Sequence, residues 1–217
     1  MKSFHLNFAT ILAVLLPVCG RGQGTNTPPE PSAATSSNLW SFGASAYGYL
    51  VPDSRDYVNL NFTADHTWLH LEGRYNYEAV DSGSVWVGYN FSFGEKLAFG
   101  LTPMVGGVFG SLTGVAPGYN LSLAYRRLLL SSQSEYFVDS GDSSNNYFYT
   151  WSELTWSPWD WLHVGYAAQR TKAYQSSLDI QRGFLAGVSY KRIDFTTYVF
   201  NLGWTDPTVV LAMGFSF

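Results

Sequence analysis

The chain is nearly without cysteine. Its 217 residues hold one, Cys19, so no intrachain disulfide framework can stabilise it. Long apolar runs are also missing. The N-terminal run from Phe8 to Val18 is too short to cross a bilayer as a helix, and no run of 18 apolar residues follows it. No stretch carries a helical stripe over three turns, and Gly and Pro recur too often for long helices. Charge is scarce at 13% of residues, and the basic residues are scattered. That excludes a nucleic-acid surface. The spacings HxH, HExxH and Cys–His are absent, so no metal site is marked and no cofactor is expected. A Gly-rich phosphate loop is absent too. The Gly106–Gly107 pair sits in strand context and is expected to relieve crowding at a bend.

What is present begins with a charged Met1–Lys2–Ser3, the apolar run, and small residues around Cys19–Gly20–Arg21–Gly22. This is the order of a secretory signal peptide, with cleavage expected near Gly20 or Gly22. Val18 before Cys19 is a poor match to a lipoprotein site, so Cys19 is expected to leave with the signal. Residues 21–38, polar and Pro-rich without a period, read as a flexible periplasmic leader. The organisation expected is a signal at 1–20, the leader at 21–38 and one β-domain at 39–217.

From residue 39 the period is two. Strands are expected at 39–50, 57–64, 67–78, 84–93, 97–109, 118–126, 129–138, 147–156, 162–172, 180–190, 193–201 and 208–217. Connections alternate in length. Long polar ones (VPDSRD, AVDSG, GSLTGVAP, DSGDSSNN, AYQSSLD, NLGWTDP) trade places with tight ones. The tight set is Asp65–His66, Gly94–Glu95–Lys96, Arg127–Leu128, Pro158 to Trp161, and Lys191–Arg192. This rhythm fits an all-β, up-and-down antiparallel transmembrane β-barrel of about 12 strands, within a range of eight to twelve. A hairpin hidden around Leu128 to Leu130 would change the count. Pro103 is an anomaly, because it lacks a ladder donor: the strand should bulge there or split in two.

Parity separates two faces. Val58, Leu60 and Phe62 oppose Asn59, Asn61 and Thr63. Val85, Val87, Tyr89 and Phe91 oppose Trp86, Gly88, Asn90 and Ser92. The second face is too sparsely charged for a soluble exterior and too polar for a packed layer. A polar, water-filled interior with lipid against the apolar face fits both. Aromatics near the strand ends fit headgroup girdles: Trp68, Phe93, Trp156, Trp159, Trp161 and Phe217 on the turn side, and Tyr49, Tyr77, Tyr147 and Trp204 on the loop side. Asp-rich loops fit mobile outer connections.

The chain ends VVLAMGFSF, with Val209, Leu211, Met213, Phe215 and Phe217 of one parity. With the signal peptide, this resembles bacterial outer-membrane β-barrels as a class. The resemblance implies residence in the cell outer membrane of a Gram-negative-type bacterium, among lipids and lipopolysaccharide. It also implies that the assembly machinery reads the segment ending at Phe217. It names no activity.

Interior positions carry the candidate chemistry. LHLEGRYNYE lines up His70, Glu72, Arg74, Asn76 and Glu78. A lumen constriction is expected from Glu72, Arg74, Glu78, Glu135, Trp151, Glu153 and Gln169, with Gln133, His163 and Asp194 also interior. Asn61, Asn90 and Asn120 begin Asn-x-Ser/Thr triplets, but on the lumen parity they read as polar filler. The expected role is a narrow channel for small polar solutes, or a structural outer-membrane protein, working as a monomer. An outer-membrane phospholipase or lipid A hydrolase is the enzyme alternative. Its candidate base is His70, although no serine stands out as nucleophile and Glu72 is expected beyond direct hydrogen-bond reach. A secreted soluble all-β binding protein is the third reading.

Overall fold

The computed structural model describes residues 40–52, 55–173, 179–203 and 207–217. The expected signal, the leader, Cys19 and Trp204 lie outside the described residues. Strands run β1 Ser41–Leu50, β2 Tyr57–His66, β3 Leu69–Tyr75, β4 Ser82–Tyr89, β5 Phe91–Phe93, β6 Leu97–Gly110 and β7 Gly114–Tyr125. They continue with β8 Leu128–Asp139, β9 Tyr147–Trp159, β10 Leu162–Ala173, β11 Asp179–Tyr190, β12 Ile193–Phe200 and β13 Thr208–Ser216. One short 3-10 turn, Ser143–Asn145, sits between β8 and β9. Strands pair antiparallel with their sequence neighbours, except that β4 and β5 do not pair with each other, and β1 pairs with β13 to close the sheet. Both β4 and β5 lie along β6, so they form one stave, and the barrel has twelve.

That divided stave resolves Pro103. The strand β6 neither bulges nor splits, and its ladder with β7 runs unbroken through Pro103↔Tyr119. The gap falls on the other side, between Gly88↔Met104 and Leu101↔Phe91. A missing donor is harmless where no acceptor is paired to it. Asn90 fills the gap by turning aside. Its N–H donates to Trp68 O at 2.7 Å, and its Oδ1 accepts from Thr102 at 2.6 Å.

The turn at Lys191–Arg192 falls where the sequence places it, the one expected over Pro158–Trp161 is tighter, and two others are displaced. Thr67–Trp68, Arg126–Arg127, Asp160–Trp161 and Lys191–Arg192 are two-residue connections. Thr67, Arg126 and Lys191 hold positive φ of 53°, 55° and 57°. That is the handedness a hairpin twist demands, usually met by Gly or Asn. At Thr67 and Arg126 no Gly or Asn marks the turn, and the turns expected at Asp65–His66 and Arg127–Leu128 lie two residues and one residue away from those expected positions. Asp65 and His66 complete the ladder against His70 and Leu69 instead. The expected long loop GSLTGVAP shrinks to residues 111–113, because β6 and β7 extend past it.

Parity holds, with charge inside. In β3, His70, Glu72 and Arg74 are buried, while Leu71 and Tyr75 are 38% and 47% exposed. In β4, Trp86 is buried between Val85 at 61% and Val87 at 48%. The outer face also carries a polar seam. Ser132 and Ser134 share the parity of exposed Leu130 and Tyr136, yet each hydroxyl is bonded across the ladder, to Ser152 at 2.9 Å and Thr150 at 2.6 Å. Paired hydroxyls carry little penalty where water is excluded.

The interior is more apolar than a water-filled lumen. Leu185, Tyr198, Phe200 and Val210 pack together on the β11–β13 side. Trp86, Met104, Val108 and Phe137 form a second cluster. Leu185, which breaks the parity of its strand in sequence, belongs to the first of these.

Candidate functional site

Period two aims His70, Glu72 and Arg74 into the lumen from one strand. The strand then stops. Asn76 takes φ 59°, its side chain donates to Val58 O at 3.0 Å, and its Oδ1 accepts from Asp81 N at 2.8 Å. This reversal folds Tyr77 and Glu78 back inward. Tyr77 was expected on the outer girdle. Instead its hydroxyl donates to Gln133 at 2.9 Å across the lumen. Tyr49 and Tyr147, expected beside it in the girdle, are likewise turned in: Tyr49 is 7% exposed, and the Tyr147 hydroxyl lies 3.2 Å from Glu135.

Arg74 is the hub. Its Nε donates to Glu72 at 2.9 Å and one terminal nitrogen donates to Glu135 at 2.8 Å, with Glu78 at 3.6 Å. Its guanidinium also lies over the rings of Trp86 at 4.2 Å and Tyr77 at 4.4 Å. The side chain has no exposed surface, nor does that of Glu78. On the short way round the barrel, the staves β4, β6 and β7 separate β3 from β8. The Arg74–Glu135 bond is therefore a chord across the lumen, and the sealed side chains form a septum there.

The septum recruits groups that carried no distinctive sequence signal. Asn61 donates to Glu72 at 2.5 Å, so it is a member of the network rather than filler. Ser84 donates to Glu78 at 2.7 Å and accepts from the Trp86 indole at 2.9 Å. Gly106 is what lets Trp86 in: a Cβ there would stand 2.4 Å from the indole ring. The glycine thus relieves crowding against a side chain, not at a bend.

His70 does reach Glu72, at 3.3 Å, because both side chains lean along the strand. Its other nitrogen meets Asp65 at 2.7 Å. Both ring nitrogens face carboxylates, which suits an ion-paired strut.

The remaining expected residues do not join Arg74. Glu153 accepts from Trp151 at 2.6 Å and Tyr198 at 2.9 Å. Gln169 donates to Gln181 at 2.7 Å. His163 meets Thr196 at 2.8 Å, and Thr196 donates to Asp194 at 2.8 Å.

Cavities lie on both sides of the septum. The turn-side vestibule, about 700 Å³, is lined by Ser45, Asn61, Glu153, His163 and Thr196, with Arg126, Arg127, Lys191 and Arg192 at its mouth. The loop-side cup, about 250 Å³, is lined by five tyrosines with Asn59, Glu78, Glu135 and Thr171. Among the described residues no group of three or more His, Cys, Asp or Glu could hold a metal ion.

No protein-family model matches the chain, and no curated protein does. Among solved structures it is similar to the KdgM porin, with a TM-score of 0.57 and 12% identity over 81% of this chain and 99% of that one. At that identity the likeness is one of fold: a closed twelve-stave antiparallel barrel.

Proposed function

We propose that the chain is an outer-membrane β-barrel acting as a narrow, side-chain-occluded channel for small polar solutes. The observation that carries this reading is the inversion of faces. Leu71, Tyr75, Val85 and Val87 are exposed while Glu72 and Arg74 are sealed inside. Water would reward the opposite arrangement, whereas hydrocarbon rewards this one and demands a closed sheet. Outer-membrane lipid and lipopolysaccharide would wet the outer face, the assembly machinery would read the segment ending at Phe217, and the barrel would work as a monomer.

The septum favours low conductance, since the buried ion pairs leave no continuous wide passage. Purified protein in planar bilayers is expected to give small, discrete conductance steps. Their absence over a wide voltage range would remove the channel and leave a structural membrane protein. A charge on the outer wall tests the lipid contact itself. Val87→Arg, near the middle of the wall, is expected to lower folding stability in lipid vesicles by about 2–4 kcal/mol. Unchanged stability together with solubility free of detergent would favour the secreted soluble reading.

The lipid-modifying enzyme reading makes a separate prediction. Purified protein would turn over phospholipid or lipid A, and His70→Ala would abolish it. With both His70 nitrogens held by carboxylates, no turnover is expected from either protein.

A further inference from the structure

The loop-side cup has a chemistry of its own. Five rings wall it: Tyr49, Tyr57, Tyr77, Tyr147 and Tyr149. Tyr49 and Tyr57 stack at 4.6 Å with 7° between planes, and Tyr77 meets Tyr149 edge-on at 5.8 Å. The hydroxyl protons of three are committed to the protein. Tyr77 donates to Gln133, Tyr147 to Glu135 and Tyr149 to Gln169. Those three residues keep their ring faces and oxygen lone pairs for a guest, and the donors left in the wall are Tyr49, Tyr57, Thr171 and the Asn59 amide.

Two acceptors in its wall are unanswered. Asn59 is 5% exposed, and no protein donor reaches its Oδ1. The Glu78 side chain is fully buried, and its Oε2 also lacks a donor. Leaving such atoms unmatched is costly.

Charge points the same way. Glu72, Glu78 and Glu135 all share Arg74. His70 is spent on Glu72 and Asp65. The only charged residues lining the cup among the described residues are Glu78 and Glu135. An anion would meet two carboxylates and no available cation. A neutral alcohol would supply a donor but leave the negative surplus standing. An organic cation bearing N–H groups answers the charge, both acceptors and the rings together. Arg74, resting on Tyr77 at 4.4 Å, already shows one ring of this wall holding a cation.

We propose that the cup of Tyr49, Tyr57, Tyr77, Tyr147 and Tyr149 binds a primary alkylammonium ion, its N–H groups donated to Asn59 Oδ1 and Glu78 Oε2. This deepens the channel reading by naming a solute class, and rests on that reading for the idea that solutes enter the lumen.

The test is calorimetric titration of the full-length protein, folded in detergent micelles, with butylammonium, tetramethylammonium, 1-butanol and butyrate. Butylammonium is expected to bind most tightly. Tetramethylammonium, without N–H, is expected to be weaker by about tenfold, the scale of a charge-assisted hydrogen bond. Glu78→Gln should weaken butylammonium by a similar factor while its heat-modifiable gel shift stays normal. If that variant does not fold, Asn59→Ala supplies the same comparison. Equal binding of 1-butanol or butyrate, no effect of either variant, or no binding of butylammonium overturns the proposal. Binding in micelles needs no conduction. Binding without conductance would leave the site and remove the channel, and conductance without binding would do the reverse.

Discussion

Replacing Arg74 by methionine should destabilise the barrel by about 3–5 kcal/mol, the scale for removing one partner of a buried ion pair. The guanidinium answers Glu72 at 2.9 Å and Glu135 at 2.8 Å, and touches Glu78 at 3.6 Å. None of these carboxylates can turn to solvent, since their side chains are 2% exposed or less. Methionine fills similar volume, so the effect isolates charge rather than packing. The measurement is the urea midpoint in lipid vesicles at unchanged slope. The double variant Arg74→Met with Glu135→Gln should recover part of the loss, because one orphaned charge goes with its partner. In bilayers, the single variant should raise conductance and shift preference toward cations. An unchanged midpoint and an unchanged conductance would remove Arg74 from the septum.

Trp86→Ala is the second large effect, about 3–5 kcal/mol from lost packing. The indole is 3% exposed, lies 4.2 Å from the Arg74 guanidinium and donates to Ser84, which in turn holds Glu78. Removing it loosens the hub from the side, and conductance should rise without the change in ion preference expected of Arg74→Met. Trp86→Phe, which keeps a π-face under the guanidinium, should restore most of the stability. If the alanine and phenylalanine variants unfold at the same midpoint, the ring contributes nothing to holding Arg74.

The staves and their two faces were legible because period two needs no tertiary information. Hence β3 could be read as a line of charge opposite Leu69, Leu71 and Tyr75, and the closed all-β barrel follows from it. What could not be read is anything set by a local backbone choice. A positive φ at Asn76 turns Tyr77 inward, against its apparent parity. Thr67 and Arg126 make primed turns with residues that seldom do so. Pro103 looked like a fault in its own strand, yet the interruption falls in the neighbour. Long-range pairings were equally hidden. Nothing in the spacing of Arg74 and Glu135, 61 positions apart, announces a 2.8 Å bond, and Glu153, equally plausible by parity, is held by Trp151 and Tyr198 instead.

The seam between β1 and β13 has a consequence for how the molecule is made. Phe42 and Phe217 exchange both backbone hydrogen bonds, at 2.8 and 2.9 Å. The oldest stave to leave the ribosome therefore waits for the youngest. Until they meet, the growing sheet carries two unpaired borders, each a template for the wrong partner. Joining ends so distant in sequence is slow, because chain entropy is lost before any contact returns it. An escort that shields those borders and delivers the last stave to the first would shorten the most hazardous interval in the life of this chain.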